Sequence, residues 1–108
     1  MDKILFIVES NCADPTREEE FNEWYNKTHL PDVLESPEVL RAVRYQRMDT
    51  SGGQAKYLAL YEIETNDFPA LVKSTEENME KVRAAGRWSD LLQTTSQDAC
   101  IQIYSLSK

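Results

Sequence analysis

At 108 residues, with 41% apolar and 29% charged side chains, the chain is sized and composed for one globular domain with a single core. Its net charge of −7, with twelve Lys and Arg scattered along it, argues against a basic face for nucleic acid or an anionic membrane surface. No apolar run approaches the roughly 20 residues that span a bilayer, and the short apolar run of MDKILFIVES does not make an export signal; Cys12 and Cys100 are therefore expected as free thiols in a reducing cytoplasm.

Residues 3–9, KILFIVE, predict a strand covered on both faces, with Ile4, Phe6 and Val8 on one side and Leu5 and Ile7 on the other. NCADPT is a loop. Thr16 followed by Glu19 fits a capping box, and three glutamates in the next turn match the helix dipole. Phe21, Trp24, Tyr25 and Thr28 share one helical face. Pro31 should break or kink this helix near Leu30, with one further turn over residues 32–35.

Residues 39–48 and 55–63 alternate as two strands joined by DTSGGQ, a β-hairpin. Val39, Arg41, Val43 and Tyr45 fall on one side of the first strand, opposite Leu40, Ala42 and Arg44. In the second, Tyr57, Ala59, Tyr61 and Ile63 oppose Leu58, Leu60 and Glu62. A second helix starts at the cap Asp67 with Pro69 in its first turn and carries Phe68, Leu71, Val72, Thr75, Met79 and Val82 as one stripe. Gly86 ends it. Ser89 caps a short turn bearing Leu91 and Leu92, and a last strand is expected at 99–106, ACIQIYSL.

The order strand, helix, strand, strand, helix, strand predicts an α+β, ferredoxin-like βαββαβ fold over residues 1–108, with two helices on one face of a four-stranded antiparallel sheet. The other face would be bare and apolar in a monomer. Two such faces closing on each other make a homodimer the simplest solution.

The run F-N-E-W-Y-N-x-x-H-L-P-D-x-L, Phe21 to Leu34, followed by P-x-V-x-x-A-x-R-Y, Pro37 to Tyr45, resembles the dimeric α+β barrel superfamily, nearest its EthD-like and related small proteins. The specific match covers about 25 residues, and the order of elements covers the whole chain. The resemblance implies a homodimer with a ligand cleft between helices and sheet in each subunit. Cofactor-free members of that superfamily work with His, Tyr, Trp or Asn in an apolar pocket. Haem-dependent members are far larger and use a histidine elsewhere, so haem does not carry over.

His29 is the only histidine and the only side chain whose ordinary pKa lies near neutrality, which makes it a candidate acid/base. The competing reading is a structural histidine at the helix–strand corner, bonded to Asp32 or to a carbonyl. Tyr25, one turn away, would offer a hydroxyl beside it. Phe21, Trp24, Tyr45, Tyr61 and Trp88 are the candidate ligand-binding aromatics, Trp24 being expected mainly as core. Strand tyrosines could equally anchor a dimer interface. Arg41 and Arg44 point to opposite faces, and the buried one should find an acid, with Glu62 or Glu9 available, a structural ion pair being favoured over recognition of a substrate carboxylate. One histidine and two distant cysteines do not make a zinc site, and no phosphate-binding loop is present, so neither metal nor cofactor is expected.

Two functions fit. One is a cofactor-independent cyclase, isomerase, lyase or oxygenase acting on a small aromatic or polyketide-like molecule, with His29 as acid/base. The other is a non-catalytic ligand-binding or stress-associated protein. An open apolar cleft lined by His29 favours the first; a cleft plugged by Phe68, Met79 and Trp88 favours the second.

Overall fold

The strand that is apolar on both sides lies in the middle of the sheet. In a computed structural model describing residues 1–108, β1 (Asp2–Cys12) pairs antiparallel with β3 (Tyr57–Thr65) on one side and β4 (Leu92–Ile101) on the other. With β2 (Val39–Gln46) outside β3, the order is β2-β3-β1-β4. This is the ferredoxin-like α+β arrangement.

The register sorts the side chains. Phe6 opposite Tyr61, Val8 opposite Ala59 and Ser10 opposite Tyr57 face the helices, where Tyr57, Ala59, Tyr61 and Ile63 are all buried. Leu5, Ile7, Leu58, Leu60 and Val43 occupy the opposite face, half-buried in the single chain, and Tyr45 projects from it. Arg41 pairs with Glu62 at 2.9 Å and Arg47 with Glu9 on this open face.

Two bulges modify the expected alternation. Leu40 is the extra residue between the pairs Val39–Ile63 and Arg41–Glu62, so Val39 is buried while Arg41, Val43 and Tyr45 face outward. Ala42 and Arg44 consequently join the helix side. On β4, Thr95 is extra between Ser96–Glu9 and Thr94–Ser10, and its hydroxyl donates to the Glu9 carbonyl at 3.2 Å.

The last strand differs most from expectation. It runs over Leu92–Ile101 rather than 99–106, because the eleven-residue β1 supplies partners from Cys12 opposite Leu92 to Ile4 opposite Ile101. Beyond it only the Gln102 amide continues the ladder, to the Lys3 carbonyl at 2.8 Å, and Ile103, Tyr104 and Leu106 are exposed.

The first helix also starts and bends differently. Asp14, not Thr16, caps a 3₁₀ turn over Pro15–Arg17 by accepting from the Thr16 amide at 3.0 Å, and no Thr16–Glu19 capping box forms. α1 (Glu18–Trp24) passes into a π-turn at Tyr25–His29 and then α2 (Leu30–Val33), which includes Pro31. The Leu30 amide donates to the Tyr25 carbonyl, five residues back, so the chain is already off the regular ladder when the proline arrives. α3 (Phe68–Ala84) starts at the Asp67 cap, whose carboxylate accepts from the Ala70 amide at 3.1 Å, and ends before Gly86 at φ 74°.

Candidate functional site

Between α3 and the helix-facing side of β1, β3 and β4 lies a cleft of about 600 Å³. Its floor is apolar, from Phe6, Val8 and Ile63, and its roof comes from Phe68, Leu71 and Met79 of α3. Tyr25 and His29 of the π-turn, Tyr61 of β3 and Trp88 from the segment after Gly86 also line it. Phe68, Met79 and Trp88 therefore form walls rather than a plug.

Tyr25 and His29, four residues apart on the π-turn, fall on the one face that meets this space. Tyr25 is 1% exposed and His29 7%. The imidazole stacks on Trp24 at 4.9 Å between ring centres, tilted by 17°, and meets Tyr25 and Trp88 edge-on at 4.9 and 5.5 Å. Its Nδ1 is buried without a hydrogen-bond partner. Burial holds its pKa down at about 4, with Arg44 acting in the same direction and Asp32 opposing both. At neutral pH the ring is therefore uncharged.

Asp32 is not bonded to His29. Its buried carboxylate accepts from Arg87, with Nε 2.9 Å from Oδ2 and Nη2 3.0 Å from Oδ1. The Arg87 carbonyl in turn accepts from Trp24 Nε1 at 2.8 Å. The helix corner, the Trp24–His29 stack and the segment bearing Trp88 are thus fastened together.

Burial raises the pKa of Tyr25 against the opposing contact with the Tyr61 hydroxyl, and burial, then the charge of and contact with Tyr25, raises that of Tyr61, so both are neutral phenols. The Tyr25 hydroxyl is buried beside that of Tyr61 without a partner at ordinary hydrogen-bond geometry. Tyr57, in contrast, donates to Glu18 at 2.9 Å.

The other sequence candidates separate. Phe21 is fully buried among Trp24, Tyr25 and Tyr57 and supports the site from behind without lining the cleft. Trp24, half-buried, packs against the core through Phe21 and Tyr25 and backs the imidazole without lining the cleft. Tyr45 lies on the open face of the sheet, 58% exposed and opposite Leu58, away from the cleft, because the Leu40 bulge sets its side.

Arg44 departs from the expectation that a buried arginine finds an acid. Glu62 is taken by Arg41 and Glu9 by Arg47. Arg44 instead lies 4.1 Å from the Tyr25 ring centre and 5.2 Å from that of Tyr57, with Nη1 donating to Asn26 Oδ1 at 2.9 Å. Its Nε and Nη2 are buried without partners, and burial lowers its pKa. Arg83 and Arg87 were not among the sequence candidates; the Arg83 guanidinium lies 4.3 Å from the Trp88 ring centre. No three His, Cys, Asp or Glu side chains come together in an arrangement that could hold a metal ion, and no helix is long and apolar enough to cross a membrane.

Comparison with curated proteins returns no match. Among solved structures the chain is similar to HapK from Hahella chejuensis, with a TM-score of 0.70 at 16% identity over 97% of each chain. It is similar also to a dimeric ferredoxin-like protein from an uncultured marine organism, with a TM-score of 0.67 at 15% identity over 98% of this chain and 100% of the other. An ethyl tert-butyl ether d (EthD) family protein from Bacillus halodurans gives a TM-score of 0.60 at 16% identity over 95% and 100%. At these identities the likeness is one of fold. A family model matches residues 3–96, and the chain accordingly belongs to the family described as a domain of unknown function, DUF4286.

Proposed function

We propose that this protein is a homodimer whose subunits each bind a small aromatic or polyketide-like molecule in the cleft, and that it acts there as a cofactor-independent cyclase, isomerase, lyase or oxygenase. The observation that carries this reading is the joint presence, in one mostly apolar cleft of about 600 Å³, of an unpartnered His29 Nδ1 and an unpartnered Tyr25 hydroxyl. Buried polar atoms without partners are rare in folded chains, and a guest oxygen would satisfy both. In such a complex the Tyr25 hydroxyl and the His29 Nδ1–H donate to a ketone or phenol oxygen, and the other nitrogen of the neutral imidazole accepts a proton from an adjacent carbon. Trp24 and Trp88 hold the ring in place.

Dimer formation is supported by the apolar open face built from Leu5, Ile7, Leu58 and Leu60, and two structural neighbours are described as dimeric ferredoxin-like proteins. The free thiols Cys12 and Cys100 fit a reducing compartment.

A second reading, a binding protein without turnover, is favoured by one specific observation. A histidine with a pKa of about 4 is a weak base, poorly matched to proton abstraction at pH 7. Thermal unfolding against a panel of phenols tests the common core of both readings. The melting temperature of the wild type should rise with phenol concentration, and that of His29→Ala should not. No rise with any phenol would rule the cleft out as a phenol site. Proton exchange at the ortho carbons of a bound phenol then separates turnover from storage.

A further inference from the structure

We infer that the His29 end of the cleft selects an oxyanion, the phenolate, enolate or carboxylate of a small aromatic acid, and that Arg44 is the positioning residue whose charge makes the selection. The inference rests on the proposed use of the cleft and adds the ionic form of its guest.

Arg44 sits in a local imbalance of charge. In a chain of net charge −7, this one arginine lies against buried aromatic rings with no carboxylate partner. A buried cation left unpaired is costly, and two of its three nitrogens are buried without hydrogen bonds. Its guanidinium lies 4.1 Å from the centre of the Tyr25 ring, whose own hydroxyl is unpartnered and whose residue lines the cleft. A cation against the ring withdraws electron density from it and strengthens the hydroxyl as a donor. The interior is of low dielectric here, so the field of Arg44 extends to His29 and Tyr61 with little screening.

Other charges near this end are neutralised or solvated. Asp32 is held by Arg87. Glu76, Glu80, Asp98 and Arg83 also border the cleft but are exposed, the Arg83 guanidinium lying against Trp88. Tyr25, Tyr61 and His29 are all uncharged at pH 7. What remains is the positive charge of Arg44, which does not line the cleft itself but lies behind the Tyr25 ring that does. A negatively charged oxygen that accepts from Tyr25 and from the imidazole N–H is its chemical complement.

The test uses para-nitrophenol, which absorbs visible light only as the phenolate, and its neutral methyl ether, para-nitroanisole. At a pH where the free phenol is mostly protonated, binding to the wild type should generate the phenolate absorbance, with the phenolate bound at least about tenfold tighter than the phenol. Arg44→Met should lose this preference while binding para-nitroanisole as the wild type does, and Arg44→Lys should retain most of it. If neither compound binds, the cleft reading itself fails. If para-nitroanisole binds but the phenol stays protonated, the cleft stands and the oxyanion inference is overturned. The role given to Arg44 is likewise overturned if Arg44→Met still ionises the bound phenol. Should Arg44→Met not fold, the wild-type absorbance alone decides the oxyanion, and Arg44→Gln takes its place.

Discussion

His29 titrates about two and a half pH units apart in the folded and unfolded chain, from about 4 to the ordinary 6.5. Above pH 6.5 both states carry a neutral ring, and the residue adds no pH dependence. Between 6.5 and about 4 the unfolded chain binds a proton that the folded one refuses, so stability declines by roughly 3 kcal/mol as the pH drops through the window. Urea unfolding of the wild type and His29→Phe at pH 7 and pH 4 should show the variant gaining on the wild type by about that amount; a constant gap would mean the imidazole is not held neutral. Arg87→Ala should cost about 1–3 kcal/mol, less than a fully buried pair because Arg87 is half exposed, since it leaves the buried Asp32 carboxylate unpaired. Arg87→Lys should recover only part of this, as an ammonium cannot copy the two-point contact. These roles differ in how visible they were. His29 and Tyr25 stood out in the chain because a lone histidine beside aromatics is a local signal. The Asp32–Arg87 pair spans 55 positions, and no spacing rule joins its members.

The π-turn at Tyr25–His29 is the element on which the site depends. Proline inside a regular helix costs about 3 kcal/mol. Here the extra residue has already displaced the amides from their usual partners, so Pro31→Ala should stabilise by less than about 1 kcal/mol in chemical unfolding. A gain near the full value would show an ordinary helix. Pro31 marked a disturbance correctly, but its form, a widened turn followed by more helix rather than a break, depends on packing against the sheet. The strands divide in the same way. β1 was legible as a short run apolar on both faces, and β3 from its alternation. Most of β4 was not, since QTTSQD is polar and gains its strand geometry from the length of β1 rather than from its own residues. The Leu40 bulge moved Arg44 inward and left Tyr45 outside, and one-residue shifts of this kind leave no compositional trace.

At the scale of the molecule, the open sheet face is the surface through which the proposed dimer would form. Leu60 lies near its centre beside Ile7 and Val43. Leu60→Lys should place a charge in the proposed interface and leave the fold intact, giving a monomer in sedimentation velocity where the wild type sediments as a dimer. A wild type that is monomeric at micromolar concentration would remove the dimer from the proposal while leaving the intra-subunit cleft unaffected. One further property follows from the stack around His29. The chain has two tryptophans, and both touch this imidazole. Every indole photon the protein emits thus originates within a few ångströms of the candidate site, and an imidazolium, being a quencher of excited indoles, should dim the whole emission on acidification below about pH 4. The molecule carries its own optical reporter, readable without a label.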